Sequence, residues 1–262
     1  MTSINIKSKK GIIILGCSLS AILISYFIFA DHGDQKDLFK NEKEFVSLLD
    51  NLFLELNHME VDNLDNDNLE AMVHINENIR RAVENINSLS LLKAIELEYG
   101  KRNHLFQFIL SPDGKIGVFS WYTKLDASGN AIKNIAIHQR NNKVIPTSLY
   151  GDPIIYNDIF QLESNKGQTV YLLYGADQSA SNSYQRLNSY LLRDGNLEAF
   201  SGFPDHVSTL STLLAEENNL PNHFDILEHG SKINFRNSTD TSQVKHSLLF
   251  NGDKFVYTAL EN

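Results

Sequence analysis

HLFQFILSPDGKIGVFSWYTK, residues 104–124, holds two apolar runs joined by Pro112-Asp113-Gly114. Pro presets φ at the first corner of a turn, and Asp and Gly accept the tight backbone that follows, so the chain doubles back here as an antiparallel hairpin. Neighbouring side chains on a strand point to opposite faces. Within Lys115–Lys124, Phe119 and Trp121 therefore share one face, and Ile116, Val118 and Tyr122 the other. A strand apolar on both sides is usually covered on both. This one belongs in the middle of a sheet, with Trp121 beneath a covering layer and Tyr122 on the opposite face.

Working toward the C-terminus, the same period of 2 recurs in short runs rich in Val, Ile, Phe and Tyr. They are 132–140, 154–162, 169–174, 183–192, 197–203, 232–235, 247–250 and 254–259. Asn141-Asn142, Asn165-Lys166-Gly167, Asp194-Gly195-Asn196 and Asn251-Gly252-Asp253 separate several of them and tolerate the positive φ of hairpin turns. Such short links join only antiparallel neighbours, which predicts one β-meander sheet over residues 103–262. Ile132–Arg140 alternates cleanly, with Ile135 and Ile137 inward and Asn134, His138 and Arg140 toward water. Residues 204–222 break the pattern, and Ser208–Glu217 is expected to form a short helix ending before Pro221.

Toward the N-terminus the period becomes helical. Phe45, Leu48, Leu49, Leu52, Phe53 and Leu56 fall on one face of a helix over about 37–57, and Leu69, Met72, Val73, Ile79, Val83 and Ile86 on one face of a second over about 67–88. Together they predict a helical hairpin over 45–88 packed on the sheet. Asp62–Asn68 between them fails the EF-hand template: its sixth residue is Asp67 instead of Gly, and its twelfth is Val73 instead of Glu. It reads as a capping, solvated turn.

Lys7, Lys9 and Lys10 precede Gly11–Ala30, twenty residues that are apolar or small apart from Tyr26. As a helix this run spans roughly 30 Å, the thickness of a bilayer's hydrocarbon core. Residues 1–30 thus read as a membrane anchor or signal segment, and the lysines place the N-terminus inside and the rest outside the cytoplasm. An uncleaved single-pass anchor, cleavage near Ala30 to give a periplasmic or secreted form, and acylation at Cys17 in the lipobox-like Ile14-Leu15-Gly16-Cys17 are the three fates. Residues 31–44 form a polar juxtamembrane spacer, and 45–262 a single extracytoplasmic domain.

The chain has 23 Lys plus Arg, 32 Asp plus Glu, 42% apolar residues and one Cys. Three of the lysines and no carboxylate lie in 1–30, so residues 31–262 carry twenty cations against thirty-two acids, a net −12. That excess repels phosphate and argues against a nucleic-acid partner. The apolar content argues against a disordered chain. Gly-x-Ser-x-Gly and phosphate-loop motifs are missing from the sequence, Ser120 and Ser179 have no local base, and Glu216-Glu217 fits a solvated face. No catalytic or cofactor-binding residue stands out, and no cofactor is expected. His223, Asp225 and His229 are the candidate metal ligands, because on a strand all three would share a face.

Leu110-Ser111-Pro112-Asp113-Gly114-Lys115 resembles the turn of TolB-like propeller repeats, with echoes at Asp194-Gly195-Asn196 and Asn251-Gly252-Asp253. The stretch from this turn through Ser120-Trp121 to Ile159-Phe-Gln-Leu162 and Val170-Tyr-Leu-Leu-Tyr-Gly175 is similar to uncharacterised bacterial envelope-anchored or secreted proteins. The expected fold is α+β: a membrane segment, a helical hairpin, then an antiparallel meander, with a partial β-propeller as the alternative. The expected function is an envelope-tethered module that binds a protein partner, with a basic partner favoured by the net negative charge. An immunity protein against an envelope-directed toxin is one form of it, and an extracytoplasmic hydrolase or metal-dependent enzyme is the alternative.

Overall fold

A computed structural model describes residues 38–59, 66–126, 131–141, 143–151, 153–177, 184–212, 223–236 and 244–258. The run read as a membrane segment and the first half of the stretch read as spacer lie outside these residues. Among the described residues no helix is long and apolar enough to cross a membrane.

The fold is α+β, with three helices followed by antiparallel strands. Helix α1 (Glu42–His58) starts inside the stretch read as spacer, where the Asn41 side chain accepts a hydrogen bond from the Glu44 amide at 3.0 Å and Glu42 and Glu44 sit at the positive end of the helix dipole. Helix α2 (Asn66–Glu84) follows. The expected hairpin then gains a third helix, α3 (Leu89–Tyr99), where a change to strand period was expected. Ser88 caps it by accepting from the Leu91 amide at 3.2 Å, and Leu92 and Ile95 are its buried contacts.

The single meander is corrected to three separate antiparallel sheets. The first is β1 (Gln107–Leu110), β2 (Ile116–Tyr122), β3 (Ile132–Arg140) and β4 (Lys143–Ser148), paired in that order. The second is β5 (Tyr156–Glu163), β6 (Thr169–Asp177), β7 (Tyr184–Arg193) and β8 (Asn196–Ala199), with β9 (Thr209–Ser211) also paired to β7. The third is β10 (His223–Leu227), β11 (Lys232–Arg236), β12 (Val244–Phe250) and β13 (Phe255–Thr258). Residues 209–211 are thus strand where a helix was expected; residues 213–217 lie outside the described residues. The run at 197–203 ends early, at Ala199. Strand β4 carries Pro146 and was not expected, but it is an edge strand of its sheet, where a missing N–H is tolerated.

Helices and sheets form four layers. One apolar cluster joins Phe45, Leu49, Phe53, Met72, Ile79 and Leu92 of the helices to Phe119, Trp121, Ile135 and Ile137 of the first sheet. A second joins Ile109, Ile116, Val118 and Ala136 of that sheet to Tyr156, Ile159, Tyr171 and Leu173 of the next. The third joins Leu162, Val170, Leu172, Leu187 and Leu191 to Phe224, Ile233, Phe235, Leu248 and Phe255. Strand β2 is buried on both faces, as its composition implies. Gly117 is needed there, because a Cβ would stand 2.9 Å from both Leu92 and Phe108.

The wet face expected of β3 is overturned: His138 is 0% exposed and Asn134 7%, because that face meets the second sheet. Asn134 Nδ2 donates to the Ile154 carbonyl at 3.1 Å, and His138 Nε2 shares a hydrogen bond with Thr147 Oγ1 at 2.8 Å.

Each interface also carries a polar joint. Asn76 of α2 accepts from Trp121 Nε1 at 3.0 Å and donates to the Thr123 carbonyl at 2.9 Å. Asp113, in the β1–β2 turn, accepts from Tyr171 Oη at 2.8 Å, while its amide donates to Gln161 at 3.1 Å. Gln185 bonds both backbone groups of Phe224, accepting from its N–H at 2.7 Å and donating to its carbonyl at 3.1 Å.

Trp121 is 2% exposed beneath the helices, and Tyr122, on the other face, is 44% exposed. Trp121→Ala removes a buried ring and leaves Asn76 Oδ1 without its donor, so it should cost about 3–5 kcal/mol in urea unfolding followed by circular dichroism, with Tyr122→Ala much milder. Equal costs would place the indole outside the core.

Candidate functional site

The candidate metal ligands come from the third sheet. His223 and Asp225 alternate along β10 onto one face, with His223 Nε2 3.3 Å from Asp225 Oδ1. His229 does not join them. The strand ends at Leu227, and His229 sits in the 3-10 turn Glu228–Gly230 with φ 54°. The extended run from His223 to Leu227 alone spans about 13 Å, at roughly 3.3 Å per residue, and His229 lies beyond it in the turn. Ligands of one zinc ion lie about 2 Å from it, so the three cannot share a metal. Among the described residues no group of three or more His, Cys, Asp or Glu side chains could hold one.

Asp225 instead heads a row across the sheet. The register pairs Asp225 with Asn234, Asn234 with Ser247 and Ser247 with Thr258. Ser247 Oγ donates to Asn234 Oδ1 at 2.8 Å, and Thr258 Oγ1 donates to the Ser247 carbonyl at 3.2 Å. Ser247 thus bonds an amide, which is no general base. Local sequence carries no signal for this row, because it exists only once the strand register is set. Ser120 is likewise structural: it is buried, and its Oγ accepts from the Tyr156 amide at 3.4 Å. Ser179, Glu216 and Glu217 lie outside the described residues.

A cleft of about 310 Å³ opens beside β13, lined by Phe203, Pro204, Asp205, His206 and Lys254–Tyr257. Asp205 and His206 both adopt left-handed backbone, with φ of 60° and 59°. The turn is held by a 2.7 Å bond from the Phe255 amide to the Gly202 carbonyl and by Phe203 stacking on Phe255 at 5.2 Å. Its walls come from segments fifty residues apart, beyond the reach of any local motif.

Perturbed titrations fall on packing contacts and on the helical ion pairs of Glu77 with Arg80 and of Glu98 with Lys101. Burial alone would raise the Asp113 carboxyl, but hydrogen bonds from Ser111, Tyr171 and Lys115 outweigh it and hold the group below its usual range. Burial pushes Tyr99, Tyr156, Tyr171, Tyr174 and Tyr190 up, helped at Tyr171 by the Asp113 carboxylate. Burial lowers His138, which favours its neutral form. Of these, Asp113 and Tyr171 bond across two layers, while His138 bonds Thr147 within the first sheet and Tyr156 bonds Asn188 within the second. No protein-family model, curated protein or solved structure matches the chain.

The signs of these shifts set a stability profile. A carboxyl lowered by folding stabilises above its unfolded value, about pH 4, and that contribution is lost as pH falls through the folded value. Phenols raised by folding stabilise below about pH 10, and their contribution is lost as pH rises beyond it. Unfolding free energy should therefore fall on both limbs, and Asp113→Asn should flatten the acid limb and, by taking the carboxylate away from Tyr171, soften the alkaline limb as well. Tyrosine absorbance should show part of the phenol population ionising only as the alkaline limb unfolds the chain. Smooth ionisation of all ten tyrosines near pH 10 in the folded state would contradict the buried assignments.

Proposed function

We propose that the chain is an envelope-tethered protein-binding module, held at the membrane by residues 11–30 with residues 31–262 outside the cytoplasm. The observation that carries the reading is the net charge of −12 on residues 31–262, displayed on a fold whose interior polar groups join its layers. A surface of one sign raises the encounter rate with a partner of the other and selects against like-charged ones. The module then acts by contact rather than by catalysis, and an immunity protein that covers a toxin's active site is one form of that role. The apolar run at 11–30 after Lys7, Lys9 and Lys10 supports the anchor. The three antiparallel meanders of four strands each, the second with β9 added beside β7, support reading the β layers as a propeller-like arc.

Two measurements test this. Alkaline phosphatase fused after residue 262 should be active and a cytoplasmic reporter fused there inactive; the reverse overturns the topology. Capture of the full chain from solubilised envelopes should return a protein partner that is released as salt rises. Repeated capture with no partner contradicts the binding role.

A further inference from the structure

The charge of the helical layer is unevenly placed. From Phe45 to Ile79 the sequence has no Lys or Arg in 35 residues, and it has eight acids. Of the acids described, Asp50 is engaged by Arg102 and His104, and Glu77 by Arg80 and Arg81. Asp67 and Glu70, exposed on the first turns of α2, have no ion-pair partner among the described residues. The same flank exposes apolar side chains. Leu69 and Val73 are one helical turn apart on one face, 39% and 49% exposed. Asn76, one turn further, donates to the Thr123 carbonyl at 2.9 Å, which brings Leu125, two residues on and 37% exposed, to that flank. The ammonium of Lys124 is engaged by the end of α1, donating to the Asn57 and Met59 carbonyls at 3.1 and 3.2 Å. Exposed apolar residues rimmed by uncompensated acids fit a partner with the converse pattern.

Building on the protein-binding reading above, we propose that the Leu69–Val73–Leu125 flank of α2 is the docking surface, and that its occupant is a basic, amphipathic segment of a partner protein. Apolar side chains of that segment cover Leu69, Val73 and Leu125, while its Lys or Arg side chains meet Asp67 and Glu70. The apolar contact supplies affinity, and the acids supply orientation and a salt-sensitive on-rate.

The test uses the full chain in non-ionic detergent. The probe is a synthetic fourteen-residue Leu/Lys peptide with helical amphipathic spacing, and the control is a scrambled peptide of the same composition; both carry a photo-crosslinker. Crosslinks mapped by mass spectrometry should fall on residues 66–77 and 123–126 and weaken as salt rises. Val73→Glu should reduce them at least tenfold and Glu70→Lys should reduce them as well. Leu97→Glu, on exposed α3 surface, should leave them unchanged, and circular dichroism should show each variant folded. Crosslinks elsewhere, equal labelling by the scrambled peptide, or indifference to Val73→Glu would overturn the proposal. So would a dimer of the chain abolished by Val73→Glu, which would assign the flank to a second copy. A partner captured from envelopes that still binds Val73→Glu leaves the protein-binding reading standing and removes this surface. Capture of no partner, with the peptide crosslinked as expected, does the reverse.

Discussion

Burial of the first two sheets on both faces is the constraint on which the rest of the structure depends. The central strands of those sheets, such as β2 and β6, must satisfy two different cores at once, with odd and even positions committed to different neighbours. In β2, Phe119 and Trp121 meet the helices, while Ile116 and Val118 meet the second sheet. A slip of one residue would exchange the two sets. Apolar packing tolerates many arrangements of similar volume, whereas the polar joints do not. Asn76, Asp113 and Gln185 each bond groups on the neighbouring layer, and a shifted register would leave those groups buried without partners, at about 1–3 kcal/mol each.

Local chemistry was readable where it acts within a few residues. The turn at Pro112-Asp113-Gly114, the two-sided character of β2, the span of β3, the stripe of α1 and that of α2 apart from the exposed Leu69 and Val73 all follow from spacing alone. What depends on distant partners was not. Asn134 and His138 look like solvent residues on an alternating strand, and only the second sheet lying over them makes that face interior. The division into three sheets is decided by which hairpins pair and which stack, and hairpin signals do not encode that. Helix α3 is short and follows closely on α2, so its two buried positions, Leu92 and Ile95, provide little periodicity to read.

The candidate sites illustrate the same boundary. Parity along an extended chain brings His223, Asp225 and His229 to one face, but the strand stops before the third of them and the metal set dissolves. The Asp225–Asn234–Ser247–Thr258 row arises from register between four strands, so no single stretch announces it. The lack of cations over residues 45–79, by contrast, is plain in the sequence. Its meaning depends on knowing that Leu69, Val73 and Leu125 remain outside while their neighbours on the same stripes are buried. A rigid stack behind an acidic, partly apolar helical flank suits recognition, because little ordering is needed when a partner docks.

The central claim is that the layers are bonded to one another and not merely stacked, and the joint between Asp113 and Tyr171 tests it most directly. A double-mutant cycle of Asp113→Asn and Tyr171→Phe, read by equilibrium urea unfolding, isolates that contact from the others each residue makes. A coupling energy on the order of 1–3 kcal/mol is predicted for a charge-assisted bond across the buried interface. Additivity of the two changes to within about 0.3 kcal/mol would contradict the account.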